Sequence, residues 1–267
     1  MTSPARSLRH SLSHYAPPIL VSLVTLAAWE AIVRIADIPP YKLPAPSLIL
    51  ATLYEDRATL FASLLVTLKI TFGALAAAVI GGALIAVLFA RWSWVQRSFL
   101  PFAVILQVTP IIAIAPLLLI YLDSPTAVLV CAFLVAFFPI LANTSVGLAS
   151  TNQNLVELFR LHHASAWQEL FLLRIPAALP YFMAGLKIGG GLALIGAIAA
   201  ELAAGASGES AGLAFRIVEA GYRLKIPRMF AALALISFTG LAIYALLSAL
   251  SSLLLGRWHE SEIERET

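Results

Sequence analysis

Six stretches of this chain stay apolar over about twenty residues with few charges to interrupt them, at 18–36, 64–90, 99–122, 126–148, 179–203 and 231–255. A helix of about 20 residues covers the hydrocarbon core of a bilayer, so each stretch is long enough to cross. Backbone polar groups in lipid must be satisfied within their own segment or in a closed barrel, and the period-two alternation of barrel strands is absent. The expected class is therefore an all-α polytopic membrane protein. Composition agrees: 61% of the 267 residues are hydrophobic and 12% charged, against about 25% charged in a soluble domain. A soluble globule built from this chain would lack the polar side chains to cover its surface. A soluble enzyme and a disordered chain are excluded on that ground. The net charge of +3 does not point to nucleic acid, since the basic residues flank the apolar runs and form no stripe with interleaved aromatics.

Arg6, Arg9 and His10 resemble the start of a signal peptide, but the apolar stretch behind them is too long and no small-residue cleavage site closes it. It reads as an uncleaved first span. Six spans put both termini on one side, and the distribution of arginines favours the cytoplasm. The turn from Arg91 to Arg97 carries two arginines and no acid, with Trp92 and Trp94 suited to the headgroup belt. The expected organisation is an N-terminal segment, first span and external loop over 1–62, a core of five spans over 63–255, and a cytoplasmic tail over 256–267. Two short external helices are expected, one over 47–54 behind a proline-rich entry. The other carries Leu213, Ile217 and Ala220 on one face. It either touches a soluble partner or is a solvated amphipathic loop.

The most informative stretch follows Asn152 and is nearly thirty residues long. Loops of that length without structure are uncommon in compact proteins, and this one has a helix-forming composition. Glu157, Arg160, His162, His163, Gln168, Glu169 and Arg174 keep it out of lipid, while Leu158, Leu161, Ala164, Leu170, Phe171 and Leu173 give it an apolar side. A short helix over 161–172 is expected, parallel to the membrane, with Pro176 and Pro180 ending it and turning the chain inward. Such a helix is either a lever that receives force from a soluble partner or a well-structured connection.

The sequence RLHHASAWQELFLLRIPAALPYFMAGLKI, with Ala164, Ser165, Trp167, Gln168, Pro176, Ala177, Pro180, Gly185 and Leu186, resembles the cytoplasmic loop of permease subunits of binding-protein-dependent ATP-binding-cassette importers. His163 stands where that family usually has glycine. FFPILANTSVGLAS and the proline-interrupted LQVTPIIAIAPLLLIYLDSP are similar to the neighbouring spans of the same family. The pattern is closest to the branch that imports sulfonates, taurine, nitrate and thiamine-precursor pyrimidines. The resemblance implies a type I importer permease of MetI-like fold, working by alternating access in a bacterial inner membrane. It implies a coupling helix at about 158–175 that presents Leu161, His162, His163, Ala164, Ser165, Trp167, Gln168, Leu170 and Phe171 to an ATP-binding subunit. The other implied partners are a second copy of the chain, membrane lipid, and a periplasmic or lipid-anchored solute-binding protein.

No GxxxxGK[ST] loop is present, so ATP and Mg are expected on the partner subunit and no cofactor on this chain. The glycines at 185 and 189 form a GxxxG pair, read as a helix-packing face. Cys131 is the single cysteine, and the adjacent His162 and His163 point about 100° apart on a helix, so no metal set is expected. Nor is an enzyme, since every histidine lies outside the spans. Polar residues inside spans are costly and mark functional candidates. Gln107, Thr109 and Asn143 sit beside prolines and either line a pathway or bond between helices. Glu201 near the outer end of the fifth span either sits at the pathway mouth or caps a helix. Glu30 and Arg34, four apart, are expected to pair with each other. An ion-coupled secondary transporter and a non-transporting scaffold are the alternatives; the first would want an internal repeat or a buried acid–base relay.

Overall fold

The computed structural model describes residues 4–205 and 211–256, with side chains from 16 onward. The expected tail beyond 256 and the side chains of Arg6, Arg9 and His10 lie outside the described residues. Eleven α-helices follow one another among them: α1 (Pro4–Ile35), α2 (Pro46–Glu55), α3 (Arg57–Arg91), α4 (Ser93–Val108), α5 (Ile111–Tyr121), α6 (Ser124–Ala149), α7 (Gln153–Leu161), α8 (Ala166–Glu169), α9 (Ile175–Ala204), α10 (Leu213–Tyr222) and α11 (Ile226–Leu255). A π turn, Leu170–Arg174, joins α8 to α9. The chain divides into two compact units, residues 1–60 with 216–234, and residues 61–215 with 235–267.

The larger unit is built on α6 against α9, and the reason is the absence of side chains. A Cβ at Gly185 would lie 2.8 Å from the Pro139 carbonyl oxygen and 3.2 Å from the Ile140 Cα. At Gly196 it would lie 3.0 Å from the Ala132 Cα. With Gly189, these glycines let two apolar helices approach to backbone contact, the packing that replaces hydrophobic drive inside a bilayer. The GxxxG expectation is met at that interface. Around it close Phe89 of α3, Phe138, Ile140 and Leu141 of α6, Met183, Leu186 and Leu194 of α9, and Ile243 and Leu247 of α11, all buried.

Among the described residues, five helical stretches are long and apolar enough to cross a membrane alone, namely 16–35, 57–91, 124–149, 166–204 and 226–255. The third expected crossing differs. Instead of one run over 99–122, α4 and α5 meet at a 98° bend. Pro110 supplies no N–H to continue the ladder and pushes the preceding residue out of helical space. Thr109 accordingly sits extended at φ −72°, ψ 123°, and Pro110 follows at φ −62°, ψ 119°. The pair is either one broken span or a re-entrant loop.

In the smaller unit, the Glu30–Arg34 pair forms as expected at 2.6 Å. Glu30 does more than neutralise Arg34: it accepts the Ser47 N–H at 3.0 Å and the Ser47 hydroxyl at 2.7 Å. Ser47 lies in the first turn of α2, whose N-cap residue Ala45 offers no side-chain acceptor. The carboxylate of α1 thus serves one orphan N–H and the hydroxyl of the same residue at the start of α2. Asp56 holds Arg228 at 3.1 Å, and Trp29 packs on Phe230 with ring centroids 6.1 Å apart.

Candidate functional site

The stretch after Asn152 is not the single helix expected over 161–172. Asn152 caps α7 by accepting the Asn154 N–H at 2.9 Å, and α7 then stops at Leu161. Two bonds close it: the His163 N–H reaches the Arg160 carbonyl at 3.0 Å, and the Ala164 N–H reaches the Phe159 carbonyl at 2.9 Å. This is a Schellman motif, and its left-handed position is held by His163 at φ 55°. The turn expected for glycine is therefore made with histidine. A new helix begins at once, with Ser165 and Gln168 capping each other reciprocally, Gln168 N–H to Ser165 Oγ at 3.2 Å and Ser165 N–H to Gln168 Oε1 at 2.7 Å. The local signal was present in the sequence, since S-x-x-Q is a capping box.

Nor do Pro176 and Pro180 end a helix here. Pro176 stands directly after the π turn, in the first residues of α9, and Pro180 is carried within the helix. α8, the π turn and α9 therefore run as one apolar stretch from Ala166 to Ala204. The joint is braced by charge. Arg174 donates to Glu169 from Nε at 2.7 Å and from Nη2 at 2.5 Å, and Arg160 of α7 approaches the same carboxylate at 3.8 Å. Neither arginine contact was foreseen from sequence, because the pairing crosses a turn whose shape the sequence does not display.

On this braced joint the residues divide by face. Leu170 is buried in the core, 3% exposed. Trp167 and Phe171 stack with centroids 5.8 Å apart and an interplanar angle of 21°, yet remain 49% and 59% exposed. Leu161 and Leu172 are also exposed, as are His162, His163 and Ser165. The result is an apolar, aromatic platform outside the core and rigidly continuous with a membrane helix.

A second candidate region lies at the α4–α5 bend. Gln107, Thr109, Pro110, Phe138, Pro139 and Leu192 line a cavity of about 370 Å³. The Thr109 hydroxyl is turned back onto the Ile105 carbonyl at 2.8 Å. Gln107 also borders a neighbouring cavity of about 290 Å³ with Gln96 and Ser145. Asn143 is elsewhere: its amide donates to the Pro139 carbonyl at 2.8 Å, and its Cβ faces Gly185.

Glu201 sits apart from both regions. It is 5% exposed, accepting the Thr67 hydroxyl at 2.8 Å on one oxygen and the Ala214 N–H at 3.1 Å on the other. Thr67 in turn accepts the Leu213 N–H at 3.0 Å. One carboxylate and one hydroxyl thus serve two orphan donors at the start of α10, where the helix dipole also favours negative charge. Gly212 makes room, since any Cβ there would run into the carboxylate. Thr67 and Gly212 carried no sequence signal: a threonine in an apolar helix is unremarkable until its partner is known.

Comparisons with known proteins agree with this architecture. Residues 70–264 match the family described as binding-protein-dependent transport system inner membrane component. The chain is similar to the riboflavin transport system permease protein RibX of Chloroflexus aurantiacus, 31% identical over 91% of this chain and 90% of that one. It is also similar to the formylaminopyrimidine transport permease protein ThiX of Halalkalibacterium halodurans, 32% identical over 89% and 94%. A crystal structure of an amino acid ABC transporter with histidines shares the fold, with a TM-score of 0.63 over 75% of this chain and 96% of that chain at 17% identity.

Proposed function

We propose, for a chain that belongs to the binding-protein-dependent transport system inner membrane components, that its braced α8–α9 joint is the point where an ATP-binding subunit drives transport. The family places the chain among the multi-pass permeases of bacterial inner-membrane ABC importers, which work with ATP-binding and solute-binding partners. The observation that carries the coupling role is the exposed Trp167–Phe171 stack on a segment continuous with a crossing helix. Aromatic residues of this kind anchor interfaces when they enter a partner's pocket. A push on them would tilt α9 as a body, because Leu170 is buried in the core and the Glu169–Arg174 pair braces α8 against the start of α9. Two copies would form the pathway, with the termini cytoplasmic and ATP and Mg held by the partner. A ligand or nucleotide shifts such a device only through unequal affinity for its two states.

For the solute, our reading is a small, uncharged, vitamin-related heteroaromatic. The relatives named for riboflavin and formylaminopyrimidine support it. So does the cavity at the α4–α5 bend, whose lining offers an amide, a hydroxyl and Phe138 but no charged side chain. A sulfonate or nitrate would lose its hydration there without a basic group in return. Uptake into vesicles loaded with the assembled importer and its binding protein tests both parts. Trp167→Ala with Phe171→Ala is expected to release the ATP-binding subunit and abolish uptake. Retention of that subunit with full uptake would refute the coupling role, and saturable nitrate or sulfonate uptake would refute the solute.

A further inference from the structure

A further cavity of the larger unit adjoins the one at the α4–α5 bend, with Leu106, Leu134 and Phe138 common to both. It measures about 520 Å³ and lies between α3, α4 and α6, walled by Gly81, Leu88, Val95, Phe99, Phe133 and Phe137 among other apolar residues. Among the residues of α4, none is buried. Phe99 and Phe102 are 57% and 64% exposed, so the cavity is a groove with an open side. A groove of this kind inside a bilayer cannot stay empty without forfeiting the contacts of its lining.

Its length and its end identify the occupant. From Val95 to Leu106 the groove follows α4 over twelve residues, about 16 Å between its ends at the helical rise. That matches one leaflet's half of a hydrocarbon core about 30 Å thick. The Val95 end lies next to the junction of α3 and α4, where Arg91, Trp92, Trp94 and Arg97 follow in a few residues. All four are exposed, and Arg91 lies over the Trp92 ring at 5.4 Å from its centroid. Among the described residues neither guanidinium has an acidic partner, and the first turn of α4 has no acid.

We infer that this groove is a binding site for one anionic phospholipid, with an acyl chain along Val95–Leu106 and its phosphate on Arg91 and Arg97. The tail supplies the apolar contacts the groove lacks, and the head supplies the countercharge that the junction lacks. Guanidinium groups suit phosphate by geometry as well as charge. The binding is independent of the coupling role of Trp167 and Phe171.

The test uses the full transporter reconstituted in nanodiscs of equimolar phosphatidylglycerol and phosphatidylcholine, re-extracted in mild detergent, with co-purified lipid counted by mass spectrometry. The expected result is about one phosphatidylglycerol per chain, enriched roughly tenfold over phosphatidylcholine. Arg91→Gln with Arg97→Gln should remove that enrichment, and Ala103→Phe, which fills the groove and leaves both arginines, should remove the lipid itself. Equal retention of the two lipids, or retention unaffected by both variants, overturns the proposal. So does cross-linking of Ala103→Cys between two copies in a Cys131→Ala background, which would make the second copy the occupant. Should either variant fail to assemble, the lipid ratio of the unmodified transporter decides alone.

Discussion

Thr67 and Glu201, separated by 134 positions in the chain, meet at 2.8 Å and together receive the first backbone donors of α10. A buried hydroxyl that bridges a carboxylate and an N–H cannot be removed without orphaning both. Thr67→Val keeps the shape of the side chain and leaves Glu201 and the Leu213 N–H each short of a partner, a cost of about 1–3 kcal/mol for each buried group. The thermal midpoint of the detergent-solubilised protein should fall, and Thr67→Ser should restore it. Equal midpoints for the valine and serine variants would count against the bridge.

The α6–α9 interface predicts opposite outcomes for two neighbouring glycines. Gly185→Ala would place a methyl against the Pro139 carbonyl oxygen and the Ile140 Cα, both backbone, and overpacking of that kind costs about 1–3 kcal/mol. Gly191→Ala meets nothing within 4 Å and should gain up to about 1 kcal/mol of helix propensity. Differential scanning of the two variants separates a packing stripe from a generally flexible helix. If both lower the midpoint alike, the stripe is not what holds α9.

His163 at φ 55° makes the junction between α7 and α8 sensitive to the shape of one side chain. Left-handed backbone costs an L-residue about 1–2 kcal/mol, and β-branched residues fare worst. His163→Gly is expected to keep or raise both the midpoint and the affinity for the ATP-binding subunit. His163→Val should lower both. A valine variant indistinguishable from the parent would place the turn elsewhere.

Asp123 gives a pH dependence. It caps α6, accepting from the Thr126 hydroxyl and from the Thr126 N–H at 3.2 Å, and these bonds hold its carboxyl below the ordinary value of 3.8. A depressed acid stabilises the folded state fully above its unfolded value. That contribution is lost as pH falls through the folded one. The midpoint should be insensitive to this group above about pH 5 and should drop below about pH 4. Asp123→Asn should flatten that acid limb. An unchanged acid limb in the asparagine variant would remove Asp123 from the account.

Much of this architecture was legible before any coordinates. Apolar length marks the crossings, amphipathic composition marks α2 and α10, and small residues four apart mark the seam at Gly185 and Gly189, because each signal is local and periodic. The rest depends on partners or on geometry beyond periodicity. The helix expected over 161–172 splits because His163 adopts a conformation its residue type does not advertise. The third crossing bends by 98° where Pro110 announces a break but not its angle. Glu201 offered two readings from sequence, and the structure surrounds it with Thr67, Gly212 and the start of α10, a meeting no local pattern encodes. In the same way, the ion pairs of Glu169 need the turn to exist before they can be seen.

The central claim is mechanical: the Trp167–Phe171 platform transmits work from a partner ATPase into α9. Its most direct measurement places a bifunctional cysteine cross-link between Ala166→Cys, exposed beside the intact platform, in a Cys131→Ala background, and single cysteines across the ATP-binding subunit of the assembled transporter. The account predicts high-yield cross-linking within one groove of that subunit and loss of coupled ATP hydrolysis once the link is rigid. Absence of any cross-link to the subunit, with position 166 labelled instead from the opposite side of the membrane, would contradict it.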